Sequence, residues 1–355
     1  MKKILAQIKQ HPFFIRLLHW EYWSANVVYA PVFPVFLWYC LRARSFFFFS
    51  ASNPTIKNAG LLMEGKYDID AIVPPAYRPA SLYFEPGSSF TQVKYLLEKN
   101  NFEYPLILKP NIGGKGVGVH KLADDEALKQ LLPLFPVAFI VQPFVDLLNE
   151  IGLFYVKIPG NEKGQITGIV RKEFLKVKGD GINNVEALLQ QNSRYILQIP
   201  ALKKMPGGLL EEVLPAGEEK IVVPFGNHAR GSLFIDDSHL VNQQLEDTFN
   251  EVCGRINGFY YGRLDIRYNS WEELCEGKNF SIIELNGAGS EPTHIYDPNH
   301  SLFFAWKEII RHWKLLWLVS QKNKERNKTA YMNFSAGLQM LLDNNAYAKK
   351  MKKAF

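Results

Sequence analysis

Cysteine is scarce in this sequence of 355 residues, which contains only Cys40, Cys253 and Cys275. They are far apart and form no CxxC pair, so a disulfide framework is not indicated, and a reducing cytoplasm is expected. Three motifs are also missing: the P-loop GxxxxGK[ST], the dinucleotide-binding GxGxxG and the GxSxG of serine hydrolases. Their absence excludes those two nucleotide-binding loops and that type of nucleophile.

Long apolar runs are lacking as well. Residues 27–41 form an apolar stretch of 15 residues, fewer than the roughly 20 that a membrane-crossing helix requires, and prolines interrupt it. Two interpretations stay open for residues 20–44: a helix or loop packed on the body, or an element at the membrane interface with its tryptophans and tyrosines at headgroup depth. An amphipathic helical pattern at residues 302–319 gives the second interpretation a candidate second element.

The net charge of +6 is concentrated at the C-terminal end, where residues 321–355 contain eight basic and two acidic residues. Such a tail is either a solvated end of the chain or a contact for anionic lipid. No nucleic-acid-binding motif accompanies it, so nucleic acid is not expected as a partner. A cytoplasmic location is expected, with peripheral contact at the inner face of the membrane left open.

Hydrophobic periodicity and turn residues predict an α+β fold with an antiparallel central sheet. Ser45–Ser50 (SFFFFS) is predicted as a buried strand, and the Pro- and Gly-rich residues 54–90 as a surface stretch. Helices are predicted at Thr91–Asn100, Asp124–Leu132, Asn184–Gln190 and Asp247–Asn257. Strands are predicted at Tyr104–Lys109, Gly116–Lys121, Ala138–Gln142, Gly152–Ile158, Ile166–Phe174, Gly262–Tyr268 and Phe280–Asn286.

A lysine followed by a glycine-rich loop is the first feature with chemical content. Lys109 ends an apolar strand, and residues 110–119 (PNIGGKGVGV) contain four glycines within six residues. Glycines let backbone N–H groups approach an anion closely, and a lysine beside them is a natural phosphate partner. The loop therefore indicates phosphate binding, and the alternative is a tight hairpin with an exposed lysine.

Two later strands carry the second feature, with Arg263 and Asp265 on one and Glu284 and Asn286 on the other. Residues two apart in a strand point to the same face, so pairing of the strands would bring two carboxylates and a carboxamide together. Magnesium prefers such hard oxygen ligands. The set indicates a magnesium site, with Arg263 stabilising charge on a phosphate or an oxyanion; a surface salt bridge is the alternative.

In this order and spacing, the lysine with its glycine-rich loop, Arg-x-Asp and Glu-x-Asn resemble the ATP-grasp superfamily over about residues 90–300. Within it, the sequence is most similar to the D-alanine–D-alanine ligases and the ligase domain of cyanophycin synthetases. Further segments share this likeness: residues 178–181 (KGDG), 214–218 (LPAGE), 227–232 (NHARGS) and 286–290 (NGAGS).

The resemblance implies two α+β subdomains that grip ATP between antiparallel sheets. Residues 91–145 would be the ATP-binding lid, and residues 146–300 the metal-binding and catalytic subdomain. The remaining parts would be an aromatic N-terminal segment (1–44), a divergent region (45–90) and a C-terminal helix with a basic tail (301–355).

The resemblance also implies roles for individual residues. ATP would contact Lys109, Gly113, Gly114, Lys115, Gly116, Gly118, Gln142, Pro143, Phe144, Val145, Glu150 and Lys172, with Glu150 at the ribose. Two magnesium ions, or manganese in their place, would be held by Asp265, Glu284 and Asn286. Arg263, Lys109 and Arg230 would be catalytic. Many relatives have a glutamate at the position of Gln142, so adenine would meet the amide oxygen there.

The implied activity is an ATP- and magnesium-dependent ligation of a carboxylate to an amine, of amino-acid or peptide type, through an acylphosphate. A phosphotransferase on the same scaffold and a nucleotide-binding membrane-surface scaffold without turnover are the alternatives. The first 90 residues match no substrate domain of such ligases, so the acid and the amine stay open.

Overall fold

The computed structural model describes residues 11–114, 116–203, 208–223, 226, 228 and 231–354. Its strands are β1 Leu82–Phe84, β2 Leu106–Pro110, β3 His120–Leu122, β4 Phe139–Pro143, β5 Asn149–Val156, β6 Gln165–Glu173, β7 Leu175–Lys178, β8 Glu219–Val223, β9 Leu233–Asp236, β10 Tyr261–Tyr268 and β11 Phe280–Asn286. They form a four-stranded sheet (β1-β4-β2-β3), a five-stranded sheet (β11-β10-β5-β6-β9) and the pair β7-β8. The predicted α+β fold is confirmed.

The α-helices of the described residues begin near the N-terminus and end with two long C-terminal helices. They are α1 Pro12–Leu18, α2 Ala25–Tyr29, α3 Phe33–Ala43, α4 Lys66–Ile72, α5 Phe90–Lys99, α6 Asp125–Leu131, α7 Val185–Gln190, α8 Ser193–Ile196, α9 Ile199–Leu202, α10 Gln243–Gly254, α11 Trp271–Cys275, α12 Leu302–Asn327 and α13 Phe334–Ala354. Several start at a side-chain cap, such as Ser89 before α5 and Asn242 before α10, because these oxygens satisfy free N–H groups of the first turn.

The four-stranded sheet has one apolar face and one mixed face. Leu106 and Leu108 of β2 are fully buried against α5 and α6. Side chains alternate along a strand, so Ile107 and Lys109 point to the opposite face, where Gln142 of β4 lies beside Ile107. Strand β1 pairs with β4 and precedes residue 91, the expected start of the ATP-binding subdomain.

The five-stranded sheet also has one apolar face and one polar face. Its apolar face, which includes Ile151, Leu264 and Leu285, packs on α10 in the largest core cluster. The opposite face presents the polar residues of β10 and β11, and their pairing is antiparallel with Asp265 opposite Glu284. The alternation in these strands therefore produces one buried core face and one face rich in charge.

The strand predicted at Ser45–Ser50 is wrong, because this segment forms turns and the 3-10 helix Phe48–Ala51. Phe47, Phe48 and Phe49 are all buried in the cluster that includes α12 and α13. An extended strand sends consecutive side chains to opposite faces, so burying all three against one helical layer requires a tighter turn.

The prediction of a surface stretch at residues 54–90 is also wrong. The stretch contains α4 and β1, and Ile56, Ile69 and Val73 are buried in the core beneath the five-stranded sheet. Its backbone also pairs with the loop that follows β11, since the Gly289 N–H donates to the carbonyl of Gly60 at 2.9 Å. The stretch is therefore an integral part of the half of the molecule that contains the five-stranded sheet.

The aromatic N-terminal segment packs on the body with one face only. Tyr39 of α3 is buried and stacks on Trp317 of α12, with ring centroids 5.5 Å apart. The other face leaves apolar side chains in solvent, with Trp38 57% and Leu41 71% exposed. Among the described residues, no helix combines the length and apolarity needed to cross a bilayer.

Candidate active site

A cavity of about 500 Å³ separates the mixed face of the four-stranded sheet from the charged face of the five-stranded sheet. The predicted residues that border it are Lys109, Gly113, Gly114, Gly116, Gln142, Pro143, Phe144, Val145, Glu150, Lys172, Arg263, Asp265 and Glu284. Gly118 and Asn286 are not part of its lining. Lys115 and Arg230 lie outside the described residues.

Asp265 is held by two cations at the floor of this cavity. Its Oδ1 accepts from Arg263 Nε at 2.8 Å and lies 3.2 Å from Lys172 Nζ, and its Oδ2 accepts from Arg263 Nη2 at 3.1 Å. Burial raises the pKa of the Asp265 carboxyl, but Arg263 and Lys172 outweigh it and hold the pKa well below its usual range. The carboxylate is therefore ionised at neutral pH.

Gly152, directly opposite Asp265 on β5, makes room for this arrangement. A Cβ at Gly152 would lie 3.0 Å from Cδ of Arg263 and 2.9 Å from Cγ1 of Val170. The side chains of Arg263 and Asp265 therefore occupy the space beside β5 that a side chain at position 152 would otherwise fill.

Glu284 is paired with a lysine that sequence analysis did not select. Lys66 Nζ lies 3.0 Å from Glu284 Oε1 and also donates to the carbonyl of Gly113. Burial raises the pKa of Glu284, and Lys66 with Lys109 more than offsets this, so the pKa is lowered. No motif around Lys66 distinguishes it from other lysines, since its role arises from the position of α4.

Lys109 is buried beside Glu284. Its Nζ donates to the carbonyl of Ile283 at 3.2 Å, and burial lowers its pKa although Glu284 opposes the shift. A buried ammonium group costs free energy unless it is paired, so Lys109 is suited to bind an anion in the cavity.

The glycine-rich loop is anchored at its base by the segment that carries Lys66. The Lys66 N–H donates to the Asn111 carbonyl at 2.8 Å, and the Tyr67 N–H donates to Asn111 Oδ1 at 2.9 Å. From the other side, the Tyr347 hydroxyl of α13 donates to the Ile112 carbonyl at 3.0 Å. Both the stretch before residue 91 and the C-terminal helix therefore position the loop.

Glu150, predicted to contact a ribose, belongs to a buried ion-pair network. Its Oε1 accepts from Lys172 at 2.9 Å, and its Oε2 lies 3.3 Å from Arg267 Nε. Glu150 borders the cavity, but a ribose hydroxyl would have to share its oxygens with these two cations.

Two residues that were not predicted as site residues, Asp70 and Ser81, orient the side chain of Gln142. Its Nε2 donates to Asp70 Oδ2 at 2.9 Å and to Ser81 Oγ at 2.7 Å. The amide assignment follows from this hydrogen-bond network. It directs the amide oxygen away from Asp70, and the expected contact of this oxygen with the adenine amino group stays a prediction.

The N-terminal segment closes one side of the cavity. Glu21, Ser24 and Ala25 border it together with His228, whose ring lies 5.7 Å from the ring of Tyr22. Burial, with a contribution from the nearby Arg194, lowers the pKa of His228 to about 4. His228 is therefore neutral at physiological pH and faces the cavity as a polar, uncharged group.

The oxygens of Asp265, Glu284 and Asn286 form a donor set that magnesium prefers. Nδ2 of Asn286 is buried without a hydrogen-bond partner among the described residues, although Asn286 is not part of the cavity lining. Across the same residues no cluster of three or more His, Cys, Asp or Glu side chains is suited to a metal ion. A cation at Asp265 and Glu284 would have to replace part of their pairing with Lys66, Lys172 and Arg263.

Comparison with known proteins gives matches among solved structures only. No family model matches the sequence, and no curated protein matches it. Among solved structures, 322 chains match.

The matching solved structures include two ligases and one synthetase. The D-alanine–D-alanine ligase of Bacillus anthracis is 14% identical, with 74% of this chain and 68% of that chain covered and a TM-score of 0.42. The VanG D-Ala:D-Ser ligase of Enterococcus faecalis is 15% identical, with 71% and 61% covered and a TM-score of 0.39. The bifunctional glutathione synthetase of Pasteurella multocida is 13% identical, with 73% and 36% covered and a TM-score of 0.38. The chain thus spans little more than a third of that synthetase.

Proposed function

We propose that this protein is an ATP-dependent ligase that joins a carboxylate to an amine. The observation that carries the proposal is the single cavity between two antiparallel sheets, which is bordered by Lys109 and the glycine-rich loop on one side and by Arg263, Asp265 and Glu284 on the other. The residues proposed to bind phosphate and metal thus border the same cavity. Such convergence of polar groups in a cavity of this size is typical of an active site.

ATP would lie between the two sheets. Adenine would contact residues 142–145, with its amino group donating to the Gln142 amide oxygen. Lys109, Lys66 and the N–H groups of the glycine-rich loop would bind the phosphates, and Lys172 would support them from the five-stranded sheet. Three lysines around one cavity supply positive charge that a bound triphosphate requires.

Asp265, Glu284 and Asn286 would hold one or two magnesium ions, for which manganese can substitute. When bound, the metal neutralises phosphate charge and aligns the reacting oxygens. The carboxylates are ionised through their pairing with Arg263, Lys172 and Lys66, so they are in the correct state for a cation.

The reaction would proceed in two steps. An oxygen of the substrate carboxylate attacks the γ-phosphorus of ATP, the bond to the bridging oxygen breaks, and ADP leaves. The amine then attacks the acylphosphate carbonyl, inorganic phosphate leaves and a proton is released from nitrogen. Arg263 would stabilise the tetrahedral oxyanion, and the glycine-rich loop would exclude water that hydrolyses the intermediate.

A screen of carboxylic acids and amines, read by ADP release and by mass spectrometry of the products, tests this proposal. The ligase requires that ADP release depends on both an acid and an amine and that their amide is found. Dependence on a single alcohol or phosphate acceptor, with a phosphorylated product, would establish the phosphotransferase instead. Binding of ATP without turnover in every combination would favour the non-catalytic scaffold.

We also propose that the protein is cytoplasmic and contacts anionic membrane surfaces peripherally. The exposed side chains of Phe33, Trp38 and Leu41 lie on one side of α3, and Phe47 beside them contacts Phe334 of the basic C-terminal helix with ring centroids 6.0 Å apart. Exposed apolar side chains in a chain that also has a basic C-terminal region are typical of proteins that bind at the membrane interface.

A further inference from the structure

A second cavity, of about 550 Å³, lies against residues 288–292, in the loop that follows β11. Its walls also include parts of α2, α3 and α12. The volume lies within the roughly 300–1,000 Å³ that small-molecule sites occupy. Ala30 and Phe33 border the cavity and are exposed, so it reaches the molecular surface near the start of α3. A small molecule therefore has both a path of entry and room to bind.

Aromatic side chains form much of the wall of this second cavity, among them Tyr29, Phe33, Phe36 and Trp313. The ring centroid of Trp313 lies 5.4 Å from that of Phe36 and 5.8 Å from that of Tyr29. Aromatic rings attract one another at such distances in stacked or edge-to-face arrangements, in addition to the gain from burying apolar area. The wall is therefore suited to a ligand that contains an aromatic ring.

His312 of α12 is a polar residue in this wall. It is 1% exposed and borders the second cavity, and neither ring nitrogen has a hydrogen-bond partner among the described residues. The Glu308 carboxylate is 3.9 Å from Nε2, beyond hydrogen-bond distance, and accepts from Arg311 at 2.7 Å instead. Buried polar groups are nearly always hydrogen-bonded, so the imidazole indicates a ligand that supplies a hydrogen bond.

The imidazole of His312 is uncharged. Burial and the neighbouring His294 lower its pKa to about 3, so at neutral pH one ring nitrogen donates a hydrogen bond and the other accepts one. A hydroxyl group can both donate and accept. It would therefore pair with whichever nitrogen faces the ligand.

Glu291 is the one charged side chain among the described residues that border the second cavity, and its charge is already compensated. Its carboxylate accepts from the hydroxyl of Tyr29 and interacts electrostatically with Arg263. An ammonium group or a carboxylate enclosed here would therefore find no uncompensated partner among these residues. An unpaired buried charge costs free energy, so the cavity favours an uncharged ligand over either ion.

We propose that the second cavity binds an uncharged aromatic compound that carries a hydroxyl group, with its ring against the aromatic wall and its hydroxyl at His312. This inference goes beyond the proposed ligase function and does not depend on it, because binding requires neither ATP nor turnover. It assigns a ligand-binding role to α2 and α3 of the aromatic N-terminal segment, which contribute to the wall.

Calorimetric titration of the full chain with 4-ethylphenol at neutral pH tests the proposal directly. Because the compound can bury its ring and pair its hydroxyl, it should bind with a Kd of about 1 mM or less. Tyramine and 4-hydroxyphenylacetate keep the phenol ring and end in an ammonium group or a carboxylate. Each should displace half of the bound 4-ethylphenol only at a concentration at least about tenfold higher, because its charge would be buried without a free partner.

The contact with His312 is tested with 4-ethyltoluene, in which a methyl group replaces the hydroxyl. When it binds to the wild type, the buried imidazole stays without a hydrogen bond, whereas 4-ethylphenol supplies one. His312→Phe keeps an aromatic ring but has no ring nitrogen. The affinity of 4-ethylphenol relative to that of 4-ethyltoluene should therefore fall at least about fivefold in this variant.

Two matched variants locate the bound compound. Phe33→Ala removes a ring from the mouth of the cavity and should weaken binding of 4-ethylphenol about two- to tenfold. Phe303→Ala is the control, since Phe303 is 76% exposed and is not part of the described lining, and it should leave the Kd unchanged. Circular dichroism verifies that each variant is folded.

Three results would each overturn the proposal: a Kd of 4-ethylphenol well above about 1 mM, half-displacement by either charged compound at an equal concentration, or equal Kd values in Phe33→Ala and Phe303→Ala. An unchanged preference for 4-ethylphenol in folded His312→Phe would overturn it as well. If His312→Phe does not fold, the other three results still decide. None of these measurements uses ADP release, so failure of the ligase function and failure of this binding site are distinguishable.

Discussion

The Nζ of Lys66 lies 3.0 Å from Oε1 of Glu284, which joins the short helix α4 to strand β11. The same ammonium group reaches the carbonyl of Gly113 in the glycine-rich loop. One lysine thus connects the proposed metal-binding strand to the proposed phosphate-binding loop. A residue from the stretch before residue 91 therefore completes the candidate site.

Replacing this lysine should damage ATP turnover. Lys66→Met removes a charge-assisted contact of about 1.5–3 kcal/mol, so the rate of ADP release should fall roughly 10- to 100-fold. The rate is compared with that of Lys278→Met, since Lys278 is exposed and forms a surface ion pair with Glu276. Equal rates of ADP release in the two variants would show that Lys66 does not contribute to the candidate site.

A close approach of two glycines should be sensitive to a single methyl group. A Cβ at Gly287 would lie 2.8 Å from Cα of Gly60, so Gly287→Ala should lower the free energy of unfolding by about 1–3 kcal/mol. Gly254→Ala is the control because nothing lies within 4 Å of its added Cβ, and it should raise stability by about 0.5–1 kcal/mol. Urea denaturation measures both, and comparable stability of the two variants would contradict the packing of the loop.

Much of the candidate site could be predicted from the sequence, because residues two apart in a strand point to the same face. Asp265 and Arg263 share a face by their spacing, as do Glu284 and Asn286, and the observed register places the two pairs opposite each other. The position of the glycine-rich loop could be predicted as well, since the loop connects the predicted hairpin strands β2 and β3. These features depend on residues that are close in sequence or on the alternation of side chains along a strand.

The missed features depend on tertiary packing. Lys66 is selected by the position of α4 against Asn111, which no local pattern encodes. The three phenylalanines at 47–49 form an apolar run whose length does not distinguish a strand from a buried turn, and α12 and α13 decide the outcome.

The ion pairs around Asp265 should make stability depend on acid pH. The folded-state pKa of Asp265 is depressed, chiefly by Arg263 and Lys172 acting against burial, below the unfolded value of about 3.9. Its contribution is therefore present above that value and is lost as the pH falls through it towards the folded pKa. The free energy of unfolding, measured from pH 6 downward, should fall less steeply below pH of about 4 in Asp265→Asn than in the wild type. Identical slopes would show that Asp265 is not stabilised by this pairing.

Membrane association should depend on the exposed side of α3. Flotation with vesicles containing phosphatidylserine should recover the wild type, whereas the double variant Trp38→Ser, Leu41→Ser should remain in the unbound fraction, because both side chains are exposed and would lose their apolar contact with lipid. Ile182→Ser, at a residue that is 82% exposed in a loop of another part of the chain, is the control and should float like the wild type. Flotation of the double variant to the same extent, or equal flotation with phosphatidylcholine alone, would refute this contact.

The central claim is that the face formed by β10 and β11 binds magnesium and drives ATP turnover. Glu284→Ala removes a carboxylate from that face, and Glu276→Ala removes an exposed one nearby. Magnesium-dependent ADP release in the presence of an acid and an amine should be abolished in Glu284→Ala and retained in Glu276→Ala, with circular dichroism showing both variants folded. Turnover of Glu284→Ala at the wild-type rate would contradict the account.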